Sequence, residues 1–237
     1  MVHVICVNQV LTDEEIKQKE GEWITEDCIN HLLEEDTDAY GIDSNGEKFL
    51  LCKFRKNVIS PELCKIGFDN FKNAAKPSRS RGAAAGPIDT EGVYWKQREL
   101  THTTKWRTSY LNDGKKSKMS VNNPVASNAM GFYEKSPNFG LPCRMTHHTK
   151  IGIKKFEAGL PFIERIDELF KELVEDRHTM QHNRASLRPD FQINDTAFST
   201  ITINRNFRTA LHRDAGDYSE GFGNLSVLEY GKYSGGY

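Results

Sequence analysis

The feature that most constrains this chain is an alternating run near its C-terminal end that leads into a pair of metal-ligand residues. Residues 196–204 read TAFSTITIN and have the period of two that is typical of a half-buried strand. One face would carry Ser199, Ile201 and Ile203, and the other Phe198, Thr200 and Thr202. His212 and Asp214 follow, two residues apart. Side chains two apart in an extended segment point to the same side, so we expect these two to share a metal ion.

An imidazole and a carboxylate in this arrangement are two ligands of the facial triad of non-heme iron oxygenases, which a distant second histidine completes. That geometry leaves coordination positions open for a cosubstrate and for O2. The triplet beginning at His212 also opens the catalytic loop of protein kinases, but a kinase needs an asparagine where Ser219 stands. No D-F-G triplet occurs either, so the kinase interpretation is excluded.

The charges of the chain are segregated along it, although the net charge is only −1. Residues 1–50 hold 3 Lys or Arg against 13 Asp or Glu, and residues 51–118 hold 15 against 6, so the two segments carry −10 and +9. Two interpretations stay open. The middle segment binds an anionic partner, or it is a solvated charged face that also pairs with the acidic segment.

Cysteine usage and hydropathy indicate an intracellular protein. The five cysteines are scattered, without a C-x-x-C pair, and are Cys6, Cys28, Cys52, Cys64 and Cys143. This pattern argues against a disulfide framework and a structural zinc site, and favours free thiols in a reducing compartment. No stretch approaches the roughly 20 apolar residues of a membrane helix. We expect no membrane partner, and location in the nucleus or, for a viral protein, in the host-cell cytoplasm.

Three helices are predicted. The first covers residues 25–36 with Thr25 as its N-cap, and the second begins after Ser60, although Gly67 in its middle is unfavourable. The clearest apolar stripe predicts a helix from Pro161 to about Asn183, with proline at its first position. Two histidines four residues apart near its end have metal-ligand spacing, but a solvated helix end explains them better; they are His178 and His182.

The other predicted elements are strands and loops. A turn at Asn45-Gly46 precedes a strand, residues 122–135 and 142–150 contain two short strands, and residues 223–231 form another. Residues 76–92, with three glycines and three positive charges, predict a mobile loop that can approach another molecule. Aromatic side chains among cations after this loop suit base stacking or an ordinary half-buried surface; they are Trp95 and Trp106, among Lys96, Arg98, Lys105 and Arg107.

The run from Thr196 to Tyr237 resembles the TET/JBP family of DNA oxygenases, the methylcytosine dioxygenases and the thymine hydroxylases of base-J synthesis. Its elements occur in the family order: the alternating strand, an asparagine, NFRTALH, H-x-D, a Gly-Asp step, G-x-G-N-L and Gly-Gly-Tyr. Upstream, SRGAAAG and the pair SNAMGFY and CRMT look like the more variable N-terminal portion of the family. The later block is specific, and the upstream part is suggestive.

The resemblance implies an α+β fold with a double-stranded β-helix core, of the jelly-roll or cupin-like kind, flanked by helices and incomplete at the C-terminus. Residues 1–50 would be an acidic segment packed on this core. Residues 51–237 would be the N-terminal part and first half of a single dioxygenase domain.

The resemblance also implies a site that uses Fe(II), 2-oxoglutarate and O2. His212 and Asp214 would bind the iron, and Asn204 and Arg208 would lie near the 2-oxoglutarate. The implied reaction hydroxylates the 5-methyl group of 5-methylcytosine, or of thymine, in DNA after the base is flipped out of the duplex.

The remaining implied contacts are with DNA. Asp217 matches the position that faces the exocyclic amine of the flipped base in cytosine-acting members, although Gly216-Asp217 is also ordinary turn chemistry. Asn128 is a second candidate base contact. Arg79 and Arg81 would contact the DNA backbone, together with the basic middle segment.

In this family a second iron-binding histidine and a 2-oxoglutarate-binding arginine come several strands later, whereas His212 and Arg213 are the last of their types here. Three accounts stay open: the first part of a longer enzyme, one half of a split enzyme completed by a C-terminal polypeptide, or a short form that binds DNA without oxidising it. An oxygenase of this core that acts on a protein or small molecule would leave the basic segment unexplained.

Overall fold

The computed structural model describes residues 1–29, 31–87, 98–102, 107–111, 115, 123–133, 143–214 and 217–228. It is a mixed α/β structure, which confirms the predicted combination of sheets and helices. None of the helices in these ranges is long and apolar enough to cross a membrane.

The N-terminal sheet has the strand order β1-β2-β3. Its strands are His3–Val7, Thr37–Ile42 and Lys48–Phe54, with the short helix α1 (Asp13–Gln18) after the first. Strand β1 is parallel to β2, and β2 is antiparallel to β3. Between them the predicted turn is confirmed, because Gly46 has φ +82° and the amide of Asp43 donates to the carbonyl of Glu47 at 2.9 Å. The domain boundary expected at residue 50 falls within β3.

A second sheet is built around one long strand. Its members are β4 (Pro77–Ser78), β7 (Val125–Tyr133), β8 (Arg144–Met145) and β9 (Thr200–Asn204). Strand β7 pairs antiparallel with each of the other three, so the two short strands predicted before residue 150 are confirmed as β7 and β8. Strands β5 (Arg98–His102) and β6 (Arg107–Leu111) form a separate antiparallel pair. Trp95 and Trp106, the predicted aromatic side chains among cations, lie outside the described residues.

Four α-helices accompany this sheet. They are α2 (Pro61–Phe71), α3 (His147–Ile151), α4 (Ile153–Leu173) and α5 (Glu175–Ser186). The predicted cap of α2 is confirmed, since the hydroxyl of Ser60 accepts a hydrogen bond from the amide of Leu63 at 3.3 Å. Short 3₁₀ turns occur at Glu26–Cys28, Gly82–Ala85 and Pro189–Phe191.

The main core forms where α2 crosses α4 beneath the second sheet. Each helix places a glycine under a phenylalanine of the other: Gly67 lies under Phe162, and Gly159 under Phe71. A β-carbon at either glycine would meet the opposing ring within 3 Å, so both glycines are needed for this close approach. The other buried members of the cluster are Ala74, Met130, Phe156, Ile163 and Ile193.

The helix predicted over residues 25–36 is wrong. Only the turn Glu26–Cys28 forms, and the side chain of Thr25 makes no hydrogen bond to a helix amide. Its hydroxyl instead donates to the carboxylate of Asp27. Without the cap, and with Leu32 exposed, no packed apolar face offsets the entropic cost of a helix there.

The helix predicted from Pro161 has different bounds. It begins at Ile153, because Phe156 packs edge-on against Phe132 of β7 with ring centroids 6.3 Å apart and extends the buried stripe upstream. Pro161 therefore lies inside α4. Val174 leaves the helical region, with φ −143° and ψ 65°, and separates α4 from α5.

Two further expectations are corrected. The loop expected to be mobile contains the 3₁₀ turn Gly82–Ala85, whose residues Ala84 and Ala85 are buried, so this part packs into the domain. Residues 223–228 form no strand, since no neighbouring strand pairs with them in the described ranges, and Leu225 and Val227 are exposed.

The acidic and basic segments pair directly. The carboxylate of Asp38 on β2 lies 2.6 Å from Arg55 and 3.3 Å from Lys53, and Glu35 lies 3.3 Å from Lys56. Pairing with the acidic segment, one of the two interpretations of the charge asymmetry, is therefore confirmed for these three cations.

Candidate active site

The segment between β9 and the ligand pair is held by backbone hydrogen bonds on both sides. The amide of Leu211 donates to the carbonyl of Glu22 at 3.0 Å, and the amide of Gly21 donates to the carbonyl of Leu211 at 2.7 Å. The amide of Ala210 donates to the carbonyl of Ala84 at 3.0 Å. The N-terminal segment and the Gly82–Ala85 turn therefore fix the chain immediately before His212. No side-chain pattern in the sequence signals these backbone contacts.

His212 and Asp214 lie side by side, with Nε2 and Oδ1 separated by 3.4 Å. Residues 212–214 are outside any strand, so the backbone path, and not strand alternation, brings the side chains together. The Nδ1–H of His212 donates to the carbonyl of Ala210 at 2.9 Å. That hydrogen bond selects the tautomer whose Nε2 lone pair faces Asp214 and is available to a metal ion.

The imidazole of His212 and the carboxylate of Asp214 are suitable ligands for Fe(II), and the imidazole is in the tautomer that can bind a metal ion. An imidazole nitrogen and a carboxylate oxygen are two of the three ligands of a His-carboxylate facial triad. The imidazole is largely covered, while the side chain of Asp214 is 70% exposed and free to turn toward an ion. Within the described part of the chain, no group of three His, Cys, Asp or Glu side chains could hold a metal ion.

The two residues expected near 2-oxoglutarate make contacts within the protein. Arg208 donates from Nη2 to the carbonyl of Ile24 at 2.6 Å, and its guanidinium carbon lies 5.1 Å from the ring centroid of Trp23. The side-chain oxygen of Asn204 accepts from the hydroxyl of Ser127 at 2.5 Å. Arg208 thus anchors the N-terminal segment to the site, and the cosubstrate role of both residues stays a prediction.

Asp217 lies on a cleft of about 700 Å³. One wall is α5 and the residues just after it, another is the approach to β9, and the third is Asp217 with Tyr218. Partial burial raises the pKa of the Asp217 carboxyl, and the negative charge of Asp214 raises it further. A carboxylate on the wall of an open cleft can accept a hydrogen bond from an amine, and the base contact of Asp217 stays a prediction.

The remaining predicted contacts are in the middle of the chain. Asn128, on β7, donates both amide hydrogens, to the carbonyls of Ala74 at 2.9 Å and Lys76 at 2.7 Å, and so ties the segment between α2 and β4 to β7. Arg79 is half-buried, and Nε of Arg81 is buried without a hydrogen-bond partner in the described ranges. The DNA contacts of these three residues stay predictions.

The sequence suggested that His178 and His182 lie at a solvated helix end, but the structure shows that both histidines make specific contacts. His178 is 6% exposed, and its Nε2 lies 3.1 Å from the carboxylate of Asp167 on α4. The ring of His182 stacks on it at 5.6 Å, while Nε2 of His182 faces Asp195. Each imidazole has its own carboxylate partner, and the buried pair of His178 and Asp167 joins α5 to α4.

Comparison with known proteins shows which proteins this chain resembles. The family model that matches residues 129–237 is Tet_JBP, the oxygenase domain of the 2OGFeDO superfamily, whose members use Fe(II), 2-oxoglutarate and O2. The bifunctional helicase and thymine dioxygenase JBP2 of Trypanosoma brucei brucei is 30% identical over 226 residues, which is 94% of this chain and 16% of that protein.

Two other relatives match a shorter stretch. JBP2 of Leishmania infantum is 34% identical over 113 residues, 47% of this chain and 10% of that protein. Thymine dioxygenase JBP1-B of Trypanosoma cruzi is 37% identical over 112 residues, 47% of this chain and 13% of that protein. No solved structure matches the chain. The chain thus spans between 10% and 16% of the length of these relatives, and its residues 129–237 match the oxygenase domain of the TET/JBP family.

Proposed function

We propose that this chain is the part of an Fe(II)- and 2-oxoglutarate-dependent dioxygenase that hydroxylates the 5-methyl group of a pyrimidine in DNA, with 5-methylcytosine preferred over thymine. The observation that carries the proposal is the pair His212 and Asp214, oriented for metal binding within residues matched by the oxygenase model. The relatives named thymine dioxygenases support a 5-methylpyrimidine substrate.

The proposal includes a double-stranded β-helix core. The antiparallel arrangement of β4, β8 and β9 around β7, with α2 and α4 packed beneath, supports it as the first part of such a core. Strand β9 then leads into the ligand pair, as the resemblance implies.

In this mechanism His212 and Asp214 would hold the iron, and the carbonyl of Ala210 keeps the imidazole in the binding tautomer. Bound iron, with 2-oxoglutarate and O2, supplies the oxidising chemistry that inserts one oxygen atom into a methyl C–H bond. The protein must exclude water and present the methyl group at the iron. Asn204 and Arg208 would line the 2-oxoglutarate side, where Arg208 already fixes the segment that carries His212.

The methyl group of a base stacked in a duplex cannot reach a site of this kind, so the nucleotide must be extruded. Asp217 would accept a hydrogen bond from the exocyclic amine of the flipped cytosine, with Asn128 as a second base contact. Thymine presents a carbonyl oxygen at that position, which a carboxylate repels. Asp217 is therefore the basis for the preference for 5-methylcytosine.

Extrusion requires firm binding of the DNA backbone, most of which is electrostatic. The basic segment 51–118, with Arg79 and Arg81, would supply it. The described donors give only two iron ligands, so a second candidate is a DNA-binding function without oxidation by this chain alone. In the first candidate a further histidine and arginine come from a longer protein or from a second polypeptide.

The test is nucleoside mass spectrometry of methylated DNA after incubation with Fe(II), 2-oxoglutarate and the purified enzyme. Intact-mass analysis of the same enzyme sample shows whether it contains a longer protein or a second polypeptide. We expect 5-hydroxymethylcytosine from the wild type. Asp214→Ala removes one of the two described iron ligands, so we expect it to abolish the product while leaving DNA affinity unchanged. Product from Asp214→Ala would overturn the site assignment. DNA binding without product in either protein would favour the second candidate.

A further inference from the structure

The cleft beside Asp217 is a built feature with three connected walls. Arg177 on α5 donates to the carbonyl of Glu220 at 3.0 Å, which fastens the helix to the segment after Tyr218. Gln181 accepts from the amide of Phe222 at 3.2 Å and donates to the carbonyl of Ala197 at 3.4 Å. Helix α5 is therefore hydrogen-bonded to the segments that form both other walls of the cleft.

Two arginines line this cleft at the end of α5. Arg184 is in the last turn of the helix, and Arg188 follows four residues later, just beyond Ser186. The guanidinium carbon of Arg184 lies 6.0 Å from the ring centroid of Tyr218, the residue that follows Asp217. Neither arginine forms an ion pair with a residue in the described ranges.

The other lining groups narrow the class of ligand. The cleft carries the aromatic rings of Phe191, Phe198 and Tyr218 and the carboxylates of Asp190 and Asp217. A small dicarboxylate such as 2-oxoglutarate would pair with the two arginines but would leave the aromatic rings and the two carboxylates without a partner. A nucleotide has an aromatic base, amine donors and a phosphate, and so has a partner for each type of lining group.

We propose that Arg184 and Arg188 bind backbone phosphates of the DNA strand that carries the target nucleotide, so that the end of α5 forms one side of the DNA-binding surface. This inference rests on the proposed function, because it takes the base at Asp217 as its point of reference. It adds a contact outside the basic segment 51–118, on an element that the charge distribution of the sequence does not single out.

The test is the fluorescence anisotropy of a short labelled duplex with one 5-methylcytosine, titrated with the 237-residue chain at several salt concentrations and without iron. For the double variant Arg184→Ala/Arg188→Ala we expect about tenfold weaker binding, and a slope of log affinity against log salt that is smaller by about 2. The control is Lys150→Ala/Lys154→Ala, which removes two exposed cations at the same spacing outside the cleft. We expect its affinity to stay within about twofold of wild type.

Several outcomes would overturn the proposal: wild type that does not bind DNA, arginine variants that bind like wild type, or equal losses in both double variants. Displacement of the DNA by 2-oxoglutarate would assign the arginines to the cosubstrate instead. Arg184→Lys/Arg188→Lys keeps both charges and should retain most of the affinity, and circular dichroism checks the fold of each variant. If the double alanine variant does not fold, Arg188→Ala alone should lower the slope by about 1. The binding assay contains no iron, so loss of product formation and loss of this contact are measured separately.

Discussion

At the scale of single residues, the site depends on backbone positions that side-chain chemistry does not reveal. The imidazole of His212 is oriented by a carbonyl two residues earlier, and the preceding segment is held by Gly21 and Glu22 from the N-terminal end of the chain. Gly86 closes this arrangement, because its φ of +83° lets the backbone pass directly beneath the indole of Trp23. The same indole lies against Arg208.

Gly86→Ala should therefore be strongly destabilising. A β-carbon there would lie 2.2 Å from the Trp23 ring, and the backbone conformation is one that alanine rarely adopts. We expect a loss of about 1–3 kcal/mol in the free energy of unfolding, measured by urea denaturation. Gly223→Ala is the control, since its β-carbon would meet nothing within 4 Å, and it should change stability by less than about 0.5 kcal/mol. Equal effects of the two substitutions would contradict this account of Gly86.

Asp217→Asn should shift base preference. The asparagine amide can donate to the O4 carbonyl of thymine, which a carboxylate repels, and the variant loses the charged acceptor for the cytosine amine. We expect the ratio of kcat/KM for 5-methylcytosine to that for thymine to fall by about tenfold, measured on paired duplexes that differ at one base. An unchanged ratio would show that Asp217 does not face the base and is only a turn residue.

At the scale of elements, the crossing of α2 and α4 decides where the core lies. Gly67 is unfavourable for a helix by propensity alone, and yet α2 forms, because that glycine lets the helix approach Phe162 closely. Gly159 has the same relation to Phe71. The two helices pack through matching glycine and phenylalanine contacts, and the resulting core supports β7.

Gly159→Ala tests this packing. Its β-carbon would lie 2.2 Å from the Phe71 ring, so we expect a loss of about 1–3 kcal/mol in the free energy of unfolding. Phe71→Ala removes the obstructing ring, and the cost of Gly159→Ala in that background should be smaller by at least about 0.5 kcal/mol. The measurement is a double-mutant cycle by urea denaturation. Strict additivity would show that the glycine and the ring do not contact each other.

At the scale of the whole molecule, the acidic and basic segments neutralise each other where they share the N-terminal sheet. The side chains of Asp38 and Arg55 are only 13% and 12% exposed, so this pair joins the two segments away from water. Asp38→Ala would leave Arg55 covered and unpaired, and we expect a loss of about 1–3 kcal/mol in the free energy of unfolding, seen as a lower urea midpoint. Glu35→Ala breaks an exposed pair with Lys56 and should cost less than about 1 kcal/mol. The reverse order would contradict the assignment of Asp38 as the buried link.

Sequence reasoning succeeded where a local signal coincided with the packing. The alternation before Asn204 corresponds to β9, the Ser60 cap begins α2, and the turn before β3 has its glycine in the left-handed region. It failed where the packing of the folded chain differed from the local signal. Thr25 has the chemistry of an N-cap and begins no helix, and Pro161 suits a helix start but lies inside α4.

What the sequence by itself determined is the chemistry: an imidazole and a carboxylate two residues apart, in a block of residues specific to one family, and a segregated charge pattern. These depend on residue types and short spacings, which any fold of the chain keeps. The tertiary structure decided the arrangement. Only the folded chain brings Glu22 and Ala84 to either side of the segment before His212, buries the Gly82–Ala85 turn, and assembles α5 and Asp217 into one cleft. Contacts between residues far apart in the chain arise from packing, and no local pattern encodes them.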